Sequence, residues 1–168
     1  MTRDLSAWIE QHALSSPDRV AIRFDGVEIS YRALHVRIQK TAGFLHNTHG
    51  IGRGDRVAYL GFNTPECVIS LFACARLGAV YLPLNWRLAL PELDHVLGHA
   101  EPKVLITDSP HRESAVGLVN GRSECTLIDC ANVVPASEDS DTTLAESNFG
   151  GDPDVPLLLV YTSGTTGQ

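Results

Sequence analysis

Short apolar runs alternate with helix-patterned stretches along most of this chain, and that alternation leaves few architectures open. Strands that recur with a helix between them are drawn into a parallel sheet, because a helix-length crossover is what returns the chain to the same edge. Arg56–Leu60, Ala79–Leu84, Val104–Thr107, Thr126–Asp129 and Pro156–Tyr161 read as strands, with helices from Pro65 to Leu77, Pro91 to His99 and Pro110 to Val119 between them. The expected fold class is α/β, a mainly parallel sheet flanked by helices. The last of these runs, Pro156–Tyr161, is continuously apolar, as for a strand buried on both faces.

Local signals add detail before this core. Asp4–Ser15 reads as an amphipathic helix with Leu5, Trp8, Ile9 and Leu14 as its apolar positions, ended by Pro17. Asp25-Gly26 sits between Arg19–Phe24 and Val27–Ser30, a hairpin signature whose two turn residues must accept positive φ. Tyr31–Asn47 follows as a helix with Leu34, Ile38, Ala42 and Leu45 on one face and Ser30 as its N-cap. Ala33 stands where a reciprocal capping box would need Glu. The helix opening at Asn63-Thr64-Pro65-Glu66, a capping hydroxyl followed by proline, is apolar nearly all round and should be buried. Gly78 stops it.

Composition narrows the functional classes. The 168 residues are 43% hydrophobic and 20% charged, which is globular rather than disordered, and enough chain to bury a core without metal or disulfide help. Thirteen Lys and Arg face twenty Asp and Glu, a formal net charge of −7, so neither a nucleic-acid binder nor a polybasic membrane anchor is expected. Residues 131–155 hold Glu138, Asp139, Asp141, Glu146, Asp152 and Asp154 with no base, and read as an irregular, solvated acidic segment. The start, MTRDLSAWIE, lacks the apolar core of a signal peptide, and no apolar run is long enough to cross a bilayer. Cys67, Cys74, Cys125 and Cys130 form no CxxC pair, so reduced, buried thiols in a cytoplasmic protein are expected.

The residues that carry chemistry come last. Leu157–Tyr161 leads directly into Thr162-Ser163-Gly164-Thr165-Thr166-Gly167. Ligands of α/β sheets bind beyond the carboxyl ends of strands. Gly164 and Gly167 permit close backbone approach, and the hydroxyls of Thr162, Ser163, Thr165 and Thr166 can each donate to an anionic oxygen. Backbone N–H groups in such a turn can form an anion nest. The donor set fits phosphate, yet it is not a Walker A loop, which would need a lysine. A polar surface turn is the plain alternative, and the position after an apolar strand favours the phosphate cradle.

Tyr161–Gly167 resembles the signature loop of the acyl-adenylate-forming (AMP-binding) enzymes, a superfamily that includes acyl-CoA synthetases, adenylation domains of peptide synthetases and firefly luciferase. Upstream segments resemble that family in order: Pro17-Asp18-Arg19-Val20-Ala21-Ile22, Ser30-Tyr31-Arg32-Ala33-Leu34, Gly52-Arg53-Gly54-Asp55-Arg56-Val57-Ala58, Asn63-Thr64-Pro65-Glu66, and Leu77 through Asn85. The likeness is strongest to the amino-terminal part of an acyl-CoA synthetase. It implies that residues 1–168 are the amino-terminal portion of the large adenylation domain, broken off within the phosphate-binding loop.

The resemblance further implies the chemistry. Thr162, Ser163, Gly164, Thr165, Thr166 and Gly167 would meet the β- and γ-phosphates of ATP, with Mg²⁺ helping to disperse charge so that a carboxylate can attack the α-phosphate. A thiol, usually that of coenzyme A, would then take the acyl group. The carboxylic acid would be fatty or aromatic. The family's loop lysine, its adenine, ribose and Mg²⁺ residues and its catalytic lysine all fall after Gln168, so the 168-residue chain is expected to be inactive alone and to supply no catalytic residue. Two alternatives remain: an adenylation domain serving a carrier protein, and a non-catalytic lobe that binds a partner. A lobe ending at Gln168 would leave the last strand uncovered and self-associate as a homo-oligomer.

Other features favour structural explanations. Gly50-x-Gly52-x-Gly54 precedes a strand rather than following one, the reverse of a dinucleotide loop, and reads as a helix stop. His95 and His99 lie four apart on a helix, yet no third ligand is spaced nearby, so a solvated face is expected and no metal site. His46 and His49 read as frayed helix-end residues favourable to the dipole. Trp86-Arg87 reads as an anchor after a strand rather than a pocket mouth. Cys67 and Cys74 share a helix face and fill core.

Overall fold

The computed structural model describes residues 5–133 and 155–161. Helix α1 (Leu5–Ser15) precedes a hairpin of β1 (Val20–Phe24) and β2 (Val27–Ser30). The main body follows as α2 (Tyr31–His49), β3 (Arg56–Leu60), α3 (Pro65–Leu77), β4 (Val80–Leu84), α4 (Leu90–Ala100), β5 (Val104–Thr107), α5 (Arg112–Val119), β6 (Thr126–Asp129) and the short α6 (Cys130–Val133). Strands β4-β3-β5-β6 make a four-stranded sheet in which every pairing is parallel. The α/β class with a mainly parallel sheet is therefore as expected.

Alternate residues of each strand enter different cores. Val57, Tyr59, Tyr81, Val104 and Ile106 point to the side covered by α2 and α3, through Leu34, Ile38, Leu45, Ile69 and Cys74. Ala58, Leu60, Leu82, Leu84 and Leu105 point to the other side, against Leu93, Val96 and Leu97 of α4 and Leu118 of α5. A period of two with both faces covered is why these strands read as unbroken apolar runs. Each fully buried Leu or Ile contributes about 1.5–3 kcal/mol over its exposed state. Among the described residues, no helix is long and apolar enough to cross a membrane.

Turn and cap chemistry follows the residues. Asp25 (φ 49°) and Gly26 (φ 76°) both adopt the left-handed conformation that the hairpin needs. The Ala33 N–H donates to Ser30 Oγ at 3.2 Å, the single capping bond expected without Glu at the third position. Gly78, at φ 65°, ends α3, and the next residue's N–H, that of Ala79, donates back to the Cys74 carbonyl at 2.9 Å.

Several expectations need correction. Helix α1 does not bury the proposed apolar set: Trp8 is 58% and Leu14 81% exposed, while Ser6 is buried and Ile9 half-buried. Positions 6, 9 and 13 share a face at helical spacing, which positions 8 and 14 do not. Small residues on that face let α1 lie against α2 and α3. Thr64 precedes α3 without capping it; its hydroxyl lies 3.4 Å from the Tyr59 hydroxyl instead. Helix α2 runs to His49, and His46 Nδ1 lies 2.9 Å from the Ile51 carbonyl oxygen, so neither histidine is frayed. The stretch before α5 opens as a 3-10 turn, Ser109–His111. Residues 130–133 are helical, so the segment taken as irregular from 131 begins with part of a helix; residues 134–154 lie outside the described residues.

The largest correction concerns Pro156–Tyr161. It joins the sheet through one parallel bridge, Leu158 opposite Tyr81, beside β4. Leu158 is 51% and Val160 59% exposed. With these two side chains exposed among the described residues, the continuous burial expected of this run does not hold.

Candidate functional site

The carboxyl edge of a parallel sheet is where α/β proteins gather ligands, because the loops leaving each strand converge there. Here β3, β4 and β5 all release polar or aromatic residues within a few positions of their ends. Gly61-Phe62 follow β3, Asn85-Trp86-Arg87 follow β4, and Asp108 with the turn Ser109–His111 follows β5.

Asp108 is the hub of this edge. It is buried, at 7% exposure, and its carboxylate accepts from the Phe62 N–H at 2.8 Å and the His111 N–H at 3.1 Å. His111 Nδ1 lies 2.5 Å from the same carboxylate. A buried carboxylate is costly unless it is hydrogen-bonded, and these contacts engage both of its oxygens. Gly61 is required by the close approach: a Cβ there would lie 2.9 Å from the Asp108 carboxyl carbon and 3.0 Å from the Tyr59 ring. Thr107 Oγ donates to the Leu60 carbonyl at 3.0 Å, tying the ends of β5 and β3.

Three rings stand over this hub. Phe62 meets Trp86 edge-on with centroids 5.1 Å apart and His111 edge-on at 4.7 Å; Trp86 and His111 are 5.6 Å apart. The Arg87 guanidinium lies 4.3 Å from the centre of the Trp86 ring. Trp86-Arg87 packs after β4 as the anchor expected from sequence, but its ring partners Phe62 and His111, and the Asp108 carboxylate that holds them, were missed. The available signal was their common position just past the ends of successive strands.

Of the residues proposed for the phosphate cradle, Thr162, Ser163, Gly164, Thr165, Thr166 and Gly167 lie outside the described residues. The structure does describe the segment that leads to them. At Leu158 the chain runs in the same direction as β4, held by the Tyr81 N–H donating to the Leu157 carbonyl at 2.7 Å and the Leu159 N–H donating to the Tyr81 carbonyl at 3.0 Å. Leu157 packs on the α2–α3 side, whereas Leu159 and Tyr161 pack on the α4–α5 side. The Tyr161 hydroxyl is hydrogen-bonded to His99 Nδ1, and the two rings meet edge-on with centroids 5.7 Å apart. His95 and His99 are both exposed, as their spacing suggested, and His99 in addition meets the Tyr161 hydroxyl.

Among the described residues, no group of three His, Cys, Asp or Glu is placed to hold a metal ion. All four cysteines are free thiols. Burial pushes Cys74 up to about 12, and Cys67 is also raised by burial despite its contact with the Tyr81 hydroxyl at 3.2 Å. Neither is a nucleophile at neutral pH, in keeping with core filling. Burial likewise raises Tyr59 and Tyr81 far above the ordinary phenol range, so both stay protonated.

Comparison with known proteins places this fold. A family model described as AMP-binding enzyme matches residues 9–168. The chain belongs to the AMP-binding enzyme family. It is 38% identical over 174 residues to an indoleacetate–CoA ligase of Aromatoleum aromaticum, an alignment covering 98% of this chain and 33% of that protein. It is also 38% identical over 170 residues to a feruloyl-CoA synthase of an Amycolatopsis species, covering 98% of this chain and 32% of that one. The inhibitor-bound crystal structure of the N-terminal domain of FACL13 from Mycobacterium tuberculosis is similar at a TM-score of 0.79 and 28% identity, covering 99% of this chain and 42% of that one. The chain thus spans about a third of the length of these curated relatives.

Proposed function

We propose that this chain is the amino-terminal part of an ATP-dependent acid–thiol ligase, which activates a carboxylic acid as its acyl-adenylate and passes it to coenzyme A. Residues 1–168 would form the first portion of the adenylation domain, with 131–155 as an acidic connecting segment. Thr162–Gly167 would bind the β- and γ-phosphates: their hydroxyls and glycines suit an anion, and the segment that feeds them runs parallel to β4. Bound ATP would supply the α-phosphate, with Mg²⁺ to disperse its charge, while this chain's part would be to hold and orient the triphosphate.

The observation that carries the proposal is the match to the AMP-binding enzyme model over residues 9–168, which includes the loop. Two relatives are named for indoleacetate and ferulate, an arylacetate and an arylacrylate, which favours an aromatic acid over a fatty one as substrate. Those names also favour coenzyme A over a carrier protein as acceptor, and an enzyme over a non-catalytic lobe. Free thiols and the lack of a membrane-crossing helix among the described residues are compatible with a cytoplasmic setting.

Acid-dependent ATP–pyrophosphate exchange tests the proposal. The full-length ligase carrying this sequence should exchange with arylacetates or arylacrylates in preference to long-chain fatty acids, and the isolated 168-residue chain should not exchange at all. Exchange by the isolated chain, or none by the full-length protein with any carboxylic acid, would overturn it.

A further inference from the structure

We propose that His111, held by Asp108, is the proton acceptor for the thiol in the second half of the reaction. This role rests on the ligase reading given above and goes beyond it, since the sequence suggested no catalytic residue in this chain.

The pair is buried and oriented. The His111 and Asp108 side chains are 13% and 10% exposed, and Nδ1 lies 2.5 Å from Oδ1. A carboxylate can only accept, so Nδ1 carries a proton, and in the neutral ring Nε2 keeps its lone pair. Phe62 and Trp86 fix the plane of the ring, with centroids at 4.7 Å and 5.6 Å. Asp108 is itself fixed, because Oδ2 accepts from the Phe62 N–H at 2.8 Å and Gly61 leaves it room. A histidine held by a carboxylate at one nitrogen and presenting the other is built as a general base.

The turn does not need the imidazole. Asp108 Oδ1 already caps Ser109–His111 by accepting from the His111 N–H at 3.1 Å, and Oδ2 already ties β5 to the end of β3. Any residue with a main-chain N–H would keep both bonds; what the imidazole adds is Nε2. Among the described residues nothing bonds Nε2, and the buried side-chain polar atoms without a partner are Arg37 Nε and Ser70 Oγ, so Nε2 is open to solvent. It opens at the carboxyl edge, where ligands of parallel sheets gather. The charged groups around it are Asp108, the Arg87 guanidinium over Trp86, and Arg112, which pairs with Asp129 at 3.6 Å.

The second half of the reaction needs such a group. An ordinary thiol, with a pKa of about 8.5, is mostly protonated at neutral pH, and its thiolate is the nucleophile. The His111 Nε2 lone pair takes the S–H proton while the sulfur electron pair forms the C–S bond at the acyl carbonyl. The bond from that carbon to the phosphate oxygen breaks, AMP leaves with its electron pair, and the imidazolium returns its proton to water. In the first half the attacking group is already a carboxylate, so adenylation asks nothing of this base.

The test uses the full-length protein carrying this sequence, with His111→Gln and Asp108→Asn. ATP–pyrophosphate exchange, single-turnover transfer from the acyl-adenylate to coenzyme A, and melting temperature are measured for each. His111→Gln keeps the main-chain cap and should slow transfer about 100-fold at neutral pH, with exchange within about threefold of wild type. The gap in transfer should narrow below about tenfold at about pH 9, where the thiol ionises unaided. Asp108→Asn turns the donor toward Nδ1, moves the ring proton to Nε2 and should slow transfer by a similar factor. Nitrogen-15 NMR of the histidine-labelled protein should show the neutral ring of His111 protonated at Nδ1 in wild type and at Nε2 in Asp108→Asn. A ring protonated at Nε2 in wild type would overturn the base, as would transfer unchanged by His111→Gln. Equal losses of exchange and transfer, or a gap that does not narrow with pH, would reduce the pair to packing and overturn it too. Each of these leaves the ligase reading standing, whereas no exchange by the wild-type protein with any carboxylic acid would overturn both.

Discussion

Two apolar stretches of this protein that both read as strands stand in opposite environments. In β5, Val104 through Thr107 are all buried, with Val104 and Ile106 turned to α2 and α3 and Leu105 turned to α4. In residues 155–161, Leu158 and Val160 stand half out of the molecule beside β4. The difference is one of neighbours. Strand β5 lies between β3 and β6 and beneath helices on both faces, whereas among the described residues the later segment is bridged to β4 alone. Apolar sequence marks a strand that needs cover, and the number of elements that provide it decides whether the cover is complete.

The contrast sets an order of effects. Leu105→Ala removes a fully buried side chain from the sheet centre and should cost about 2–5 kcal/mol in urea unfolding. A cost under about 1 kcal/mol would mean that β5 is not the core strand described. Gly61→Ala forces a methyl group against the Asp108 carboxylate and the Tyr59 ring and should cost about 1–3 kcal/mol, with Phe62 and His111 displaced in a crystal structure of the variant. An unchanged melting temperature would show that the Asp108 hub is loose.

A pH effect comes next. His35, on α2, is held below its ordinary value chiefly by burial, with Glu10 opposing and Arg76 reinforcing the shift. The folded protein therefore binds this proton less readily than the unfolded chain. Its contribution to stability is intact above about pH 6.5, the unfolded value, and is lost as pH falls through the lower folded value. His35→Gln should flatten the stability profile across that window, read by chemical denaturation at several pH values. A profile as steep as wild type would contradict the assignment. Leu158→Ser should have the smallest effect, within about 0.5 kcal/mol, because that side chain is already half in water. A loss comparable to Leu105→Ala would mean that the edge segment is as covered as the centre.

Much of the sheet was readable from sequence because burial on both faces leaves a continuous signal. Arg56–Leu60, Val104–Thr107 and Thr126–Asp129 match the observed strands residue for residue. The hairpin at Asp25-Gly26 and the stop at Gly78 were readable because few residue types tolerate their backbone conformations. Helix α1 was misjudged because its packing face depends on Ser6, a small residue that no hydrophobic pattern selects. Burial of the last strand was misjudged because a sequence does not state how many partners a strand finds. At the carboxyl edge, Trp86 stood out as an aromatic beside an arginine. Asp108 and His111 did not, because the contacts joining them to Phe62 bridge separate βα loops and exist only once the sheet has formed.

The central claim is that the loop following Tyr161 receives the terminal phosphates of ATP. A crystal structure of the full-length protein carrying this sequence, with a non-hydrolysable ATP analogue, measures this most directly. The account predicts the β- and γ-phosphate oxygens within hydrogen-bonding reach, about 3.2 Å, of N–H or hydroxyl donors of Thr162–Gly167. Phosphates bound elsewhere, with that loop contacting none of them, would contradict it.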